Sequence, residues 1–344
     1  MSRLGTPGRS FLIGPCVLGL LLVTGGCGKK KSRDNAPSPE VTGLAAVPAT
    51  AQVVIGADIG KLSGSPIVER AVQQLLLRDP KLAESWAHVQ ESCKLDLTKQ
   101  VKHVMLALGP PGKGALGSGP VLMVATGALS EPDLASCIRT MVGKGGGALT
   151  AKTVAGRSIY QVKDGNRTMF FAFSRPDTVV LGTSDAWVVD ALGTGQKALD
   201  NPEMKTWLGL TDQHSPLWAA GRLDDRLRQG LVAASGGKLS AGPSAIVAAV
   251  DPTDGAKVNL GAVMSKPSDA KALESFAETE LKMLGMVAQM KSLGPVVAKV
   301  TVDVEGSVVR FRAPLTMDEV NQLLSVLDAT PTPEQVTPPS DDTK

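Results

Sequence analysis

Residues able to do chemistry are sparse in this sequence, and their spacing argues against catalysis. The 344 residues include three histidines and four cysteines. His88, His103 and His214 stand far apart, and no HExxH pair is present to hold a zinc ion. They read as solvated positions: His88 on a helix, His103 at a strand start, His214 in a turn. Ser235-Gly236-Gly237-Lys238 has the Ser-x-x-Lys spacing in which a desolvated lysine deprotonates a hydroxyl. Its glycines make a loop, whereas such a dyad needs a rigid strand–helix join. Gly109-Pro110-Pro111-Gly112-Lys113-Gly114 has the composition of a phosphate loop. Gly114, however, stands where Ser or Thr would meet magnesium, and the prolines remove backbone donors. Asp224 and Asp225 are adjacent, so on a helix they point about 100° apart and share no proton. Asp251 and Asp254 flank a turn and make no calcium loop. The residues therefore offer no catalytic set, no metal ligands and no cofactor motif.

Composition narrows the class. Hydrophobic residues make up 43% and charged residues 20%, the balance of a globular chain, which excludes both pervasive disorder and a polytopic membrane protein. A formal charge of +3 leaves no electrostatic footprint for nucleic acid. An aromatic share of 3% is too low for stacking bases or sugars.

Residues 1–26 read as a secretory signal. Arg3 and Arg9 precede the apolar run Phe11 to Val23, which is too short to span a bilayer as a helix. The run leads into Thr24-Gly25-Gly26-Cys27. Small residues before an obligatory cysteine resemble the lipobox of bacterial lipoproteins, although Thr24 stands where that family prefers Leu. Cys16 follows Pro15, which argues against cleavage there. The resemblance implies diacylglycerol on Cys27 and anchoring by several acyl chains, each buried CH₂ contributing about 0.8 kcal/mol. Gly28 follows in place of a retention Asp, which implies the outer membrane. Lys29, Lys30, Lys31 and Arg33 sit beside the anchor, either as a solvated linker or as a hold on anionic headgroups.

With Cys16 in the signal and Cys27 acylated, Cys93 and Cys137 remain. Both lie on apolar helical stripes, Cys93 after Leu82, Trp86 and Val89, and Cys137 with Leu134, Ile138 and Met141. In an oxidising compartment they are expected to form a disulfide.

Residues 27–43 form a polar tether, residues 330–344 a Pro-rich extended tail, and the body lies between them. Val53 to Asp58 is an apolar strand, and Pro66 onward carries helical periodicity through Leu76. Ser130 caps a helix, and Thr316-Met317-Asp318-Glu319 is a capping box. Asp164-Gly165, Asp254-Gly255 and Glu305-Gly306 mark hairpins. Residues 44–210 and 211–329 each read strand–helix–strand–strand–helix–strand–strand. The expected fold is α+β, with largely antiparallel sheets, helices packed on one face, and two structurally similar halves. Val47-Pro48, Val53-Val54, Gly56-Ala57-Asp58, Leu62 and Ser65-Pro66 resemble a pattern at the start of uncharacterised bacterial envelope lipoproteins.

The expected function is a lipid-anchored envelope protein that binds or scaffolds an envelope protein or ligand. An envelope hydrolase with an unobvious site and a carrier of an apolar ligand are the alternatives. For the carrier, the helix Ser268–Met290 would supply a wall.

Overall fold

Turn chemistry and caps divide the chain into elements. The structure is a computed structural model, describing residues 43–93, 96–112, 119–144, 146–154, 156–289 and 293–328. The signal segment, Cys27 with residues 28–42, and the tail lie outside the described residues. The first elements are β1 (Val53–Asp58), α1 (Ile59–Leu62), α2 (Pro66–Arg78), α3 (Pro80–Cys93), α4 (Leu97–Gln100), β2 (Val101–Leu108), β3 (Val121–Gly127) and α5 (Glu131–Lys144). They continue with β4 (Ala148–Val154), β5 (Arg157–Asp164), β6 (Arg167–Arg175), β7 (Thr178–Gly182), α6 (Asp185–Leu192) and α7 (Pro202–Gly209). The remainder comprises β8 (Leu217–Arg222), α8 (Asp225–Ala234), β9 (Ala245–Asp251), β10 (Ala256–Val263), α9 (Pro267–Gln289), α10 (Gly294–Ala298), β11 (Thr301–Glu305), β12 (Val308–Leu315) and α11 (Met317–Asp328).

The three hairpin signals act as turns. Gly165, Gly255 and Gly306 sit at φ of 55°, 76° and 63°, the left-handed region that glycine enters without a steric cost. They join β5 to β6, β9 to β10 and β11 to β12. Thr316 and Glu319 complete their capping box: the Glu319 N–H donates to Thr316 Oγ1 at 3.4 Å, and the Thr316 N–H donates to Glu319 Oε2 at 2.8 Å. Ser65 caps α2 by accepting from Val68 N–H at 3.3 Å. Its hydroxyl also donates to the Pro252 carbonyl at 2.6 Å, tying the helix start to the far half.

Among the described residues all 12 strands belong to one sheet, antiparallel between every pair of neighbours, in the order β11-β12-β10-β9-β8-β1-β2-β3-β7-β6-β5-β4. The class is α+β. Each half starts at the centre of the sheet and grows outward, as β1-β2-β3-β7-β6 on one side and β8-β9-β10-β12-β11 on the other. A helix, α5 or α9, follows the third strand in both. The first half adds the hairpin β4–β5 at its edge. Because β1 and β8 pair antiparallel, the halves meet about a local two-fold.

Side chains alternate between the faces with period two. On one face the register row Val247, Ala220, Val54, Ala107 and Leu122 is buried under Trp187, Val188 and Ala191 of α6 and Met204, Trp207 and Leu208 of α7. Helices α5 and α9 lie on the other face, so helices cover both faces of the sheet and not one as the sequence led us to expect, because strand residues of both parities are apolar. There α5 brings Leu134, Ala135 and Ile138 onto Phe171, Phe173 and Val179, and α9 brings Ala270 and Leu273 onto Ala262 and Val309.

The seam between the halves rests on a size match. Gly56 of β1 lies opposite Trp218 of β8. A Cβ built on Gly56 would fall 2.2 Å from Trp218 Cε2, so the indole occupies the space that any other residue would fill. Gly221, four pairs' breadth from the same joint's other end, likewise leaves room for the Val53 backbone, 2.7 Å from where its Cβ would sit. Gly56→Ala is expected to overpack this joint and to destabilise the protein by roughly 1–3 kcal/mol in urea unfolding. Adding Trp218→Ala should recover part of that loss, so the pair will be non-additive.

Candidate functional site

The seam ends in a cleft of about 550 Å³. Its floor is Gly56, Trp218 and Met105, neighbours in register on one face of the sheet. Polar residues reach its rim from four places. Asp58 and Lys61 come from the β1–α1 junction, His103 from β2, Arg175 and Asp177 from the β6–β7 turn, and His214 from the turn before β8. Gly43, the first of the described residues, lines the cleft as well. Asp58 and His103 are direct cross-strand partners, so a sheet register brings together residues 45 positions apart.

The charged groups are already engaged. Asp58 caps α1 by accepting from Lys61 N–H at 3.1 Å, and its other oxygen lies 3.5 Å from Lys61 Nζ. Lys61 Nζ also donates to the His214 carbonyl at 3.2 Å, tying α1 to the turn before β8. Asp177 accepts from Arg175 Nε at 3.1 Å and from Thr178 Oγ1 at 3.0 Å. Asp212 accepts from Ser215 Oγ at 2.9 Å and from His214 N–H at 3.0 Å. The Ser215 hydroxyl, followed by the His214 amide, holds the Asp212 carboxyl below its ordinary range. The His214 ring is fully exposed, with Nδ1 3.6 Å from Asp212 Oδ1, beyond a hydrogen bond. Ser215, Asp212 and His214 are thus adjacent but wired wrongly for nucleophilic catalysis: the hydroxyl donates to the carboxylate, and no imidazole accepts its proton.

The cleft was not visible in the spacing of the histidines. His103 and His214 lie on strands and turns far apart in sequence, and only the β1–β2 and β1–β8 pairings bring them to one rim. His88 falls within α3, away from them in the chain.

The Ser-x-x-Lys segment is structural. Ser235 is buried at the end of α8, donating to the Val232 carbonyl at 2.6 Å and accepting from Leu239 N–H at 3.0 Å. Gly236 and Gly237 turn the chain at φ of 61° and 85°. Lys238 points instead to Glu280, 3.6 Å away, with its ammonium 5.5 Å from the centre of the Phe276 ring. Asp224 caps α8 through Arg226 N–H at 2.8 Å, and Asp225 pairs with Arg228 at 3.0 Å. Lys113 and Gly114 of the glycine-rich loop, like Cys27, lie outside the described residues. Among the described residues, no group of three or more His, Cys, Asp or Glu is placed to hold a metal ion, and no helix is long and apolar enough to cross a membrane.

Cys93, the last residue of α3, is joined to Cys137 of α5 by a disulfide, with the Cα atoms 4.9 Å apart. Met141, one turn beyond Cys137, sets its sulfur 3.6 Å from one cysteine sulfur and 3.8 Å from the other. The bond ties α3 to the helix that covers Phe171 and Phe173. In the chain-entropy account, closing a loop of this separation, 44 residues, stabilises by roughly 3–4 kcal/mol. Replacing both cysteines by Ala is expected to lower the urea midpoint by a corresponding amount, while the wild-type protein under strong reductant should fall to the same value.

No family model matches this chain, and no curated protein does. Among solved structures, crystal form I of TP0453 is similar, with a TM-score of 0.44 and 10% identity, over 84% of this chain and 98% of that one. At that level of likeness nothing about activity carries across.

Proposed function

We propose that this chain is a lipid-anchored protein of the bacterial cell envelope, at the outer membrane, whose body binds or scaffolds a partner and does not turn over a substrate. The observation that carries the binding reading is the wiring of the seam cleft. Its carboxylates are held in ion pairs and turn hydrogen bonds, and its serine hydroxyl is committed to Asp212. A catalytic site needs a nucleophile with a base, or a metal, converging on one reacting atom, and here the polar groups converge on one another. The anchor reading is supported by Thr24-Gly25-Gly26-Cys27 behind a short apolar run.

A carrier of an apolar ligand is the second reading. It is favoured by a groove of about 490 Å³ between α9 and α10, with Leu281, Gly285, Met286, Val297 and Val300 along it. Native mass spectrometry that recovers a co-purified lipid would favour the carrier. Turnover of an envelope substrate, abolished by one polar substitution in the seam cleft, would overturn the binding reading.

Cys27→Ser is expected to shift the protein from the membrane fraction to the soluble fraction, and mass spectrometry of the wild type should find acylated Cys27 as the mature N-terminus. An unmodified Cys27, or an N-terminus elsewhere, would remove the anchor.

A further inference from the structure

We propose that the outer edge of β4 takes up an extended, acidic segment of a partner protein as an added strand of the sheet. The inference rests on the binding reading and names where and how the partner docks.

The two ends of the sheet differ. At one end β11 has five residues, and its acidic Asp303 and Glu305 pair with Arg312 and Arg310. Shortness and charge are ordinary protections of an edge against stray pairing. At the other end β4 has seven residues, Ala148–Val154, with neither a proline nor an acid among them. Its register with β5 runs unbroken over all seven pairs, so no bulge turns the edge aside. Its one charged residue, Lys152, is held by Asp185 at 2.5 Å. Ala148, Thr150, Ala151 and Thr153 are exposed, and side chains this small leave both faces open beside the edge.

The register also fixes which backbone groups stand at the edge. Val154 and Arg157 close a two-residue turn, so they exchange hydrogen bonds, as does every second pair beyond them. The N–H and C=O groups of Lys152 and Thr150 therefore point to β5, and those of Leu149, Ala151 and Thr153 point outward. Among the described residues no other backbone group pairs with these three. Donors and acceptors repeating with period two are what an incoming strand reads.

Charge selects the strand. From Arg139 to Arg167 the sequence carries six cations, Arg139, Lys144, Lys152, Arg157, Lys163 and Arg167, against one carboxylate, Asp164. This run builds the end of α5, β4, β5 and the start of β6, the elements at this end of the sheet. By register Lys152, Arg157 and Lys163 share one face of the β4–β5 hairpin. Among the described residues, the carboxylates that reach the run from elsewhere are Asp185, on Lys152, and Glu131, which accepts from the Tyr160 hydroxyl at 2.8 Å. The edge stays net positive, and an acidic strand complements it. A second copy of β4 would bring the same cations to the joint, where like charges oppose pairing.

The test is fluorescence anisotropy on the full chain with labelled peptides of about nine residues, one alternating glutamate with valine and one alternating lysine with valine. The glutamate peptide is expected to bind about tenfold more tightly, the scale of a few cross-strand charge pairs changed in sign. Its binding should slow hydrogen exchange at the amides of Leu149, Ala151 and Thr153. Ala151→Pro removes an outward donor and should abolish binding with an unchanged thermal midpoint, because proline is tolerated where the N–H faces outward on an edge. Lys163→Glu should weaken the glutamate peptide. The proposal is overturned by equal affinity for the two peptides, by no binding, by binding without slowed exchange at those three amides, or by binding that survives Ala151→Pro. A dimer in sedimentation that is lost in Ala151→Pro would make a second copy the occupant and would also overturn it. If any of these occurs while in-cell cross-linking still captures an envelope partner, the edge site falls and the binding reading stands.

Discussion

The absence of a Cβ at Gly56 is the constraint on which the molecule is assembled. Each half is an antiparallel arrangement with its own helix on one face, and either half alone would leave its first strand as an open edge. Such an edge presents unpaired backbone donors and acceptors that must find a partner. Pairing β1 with β8 satisfies both edges at once and turns two half-sheets into a single sheet of 12 strands. That joint closes only because Trp218 can lie where a Gly56 side chain would otherwise stand.

The same joint makes the cleft. The strand that ends in Asp58 sits between β2 and β8, so its end collects groups from both halves, His103 on one side and His214 on the other. Exposed ion pairs such as those of Asp58 and Asp177 are worth little to stability, about 0–1 kcal/mol. Their consequence is geometric: they fix the walls around an apolar floor. Trp218 serves both roles, packing the seam against Gly56 and lining the floor of the cleft. A substitution at Gly56 would therefore disturb the fold and the cleft together.

Much of the architecture was legible in the sequence where the signal is local. Gly165, Gly255 and Gly306 marked hairpins because each needs a left-handed residue, and Thr316 with Glu319 marked a helix start because the two side chains serve each other's backbone. The alternation from Val300 to Phe311 set the β11–β12 hairpin. The expected order strand–helix–strand–strand–helix–strand–strand holds from β8 to β12, whereas in the first half four strands, β4 to β7, follow α5 where two were expected. The strand β4 escaped notice. Ala148-Leu149-Thr150-Ala151-Lys152-Thr153-Val154 lies at the sheet edge and is exposed at five of seven positions, so burial imposes little hydrophobic alternation on it. The cleft escaped notice for another reason. No local pattern records that His103 will lie opposite Asp58, or that Trp218 will cross Gly56, because both are facts of register between distant strands.

The account makes the seam part of one cooperative unit, and native-state amide hydrogen exchange with increasing urea examines this directly. The amides of β1 and β8 should exchange only through global unfolding, with the same free energy and urea dependence as the slowest amides of β3 and β10. Seam amides that exchange through a smaller opening, with β2–β7 and β9–β12 unfolding as separate units, would contradict it.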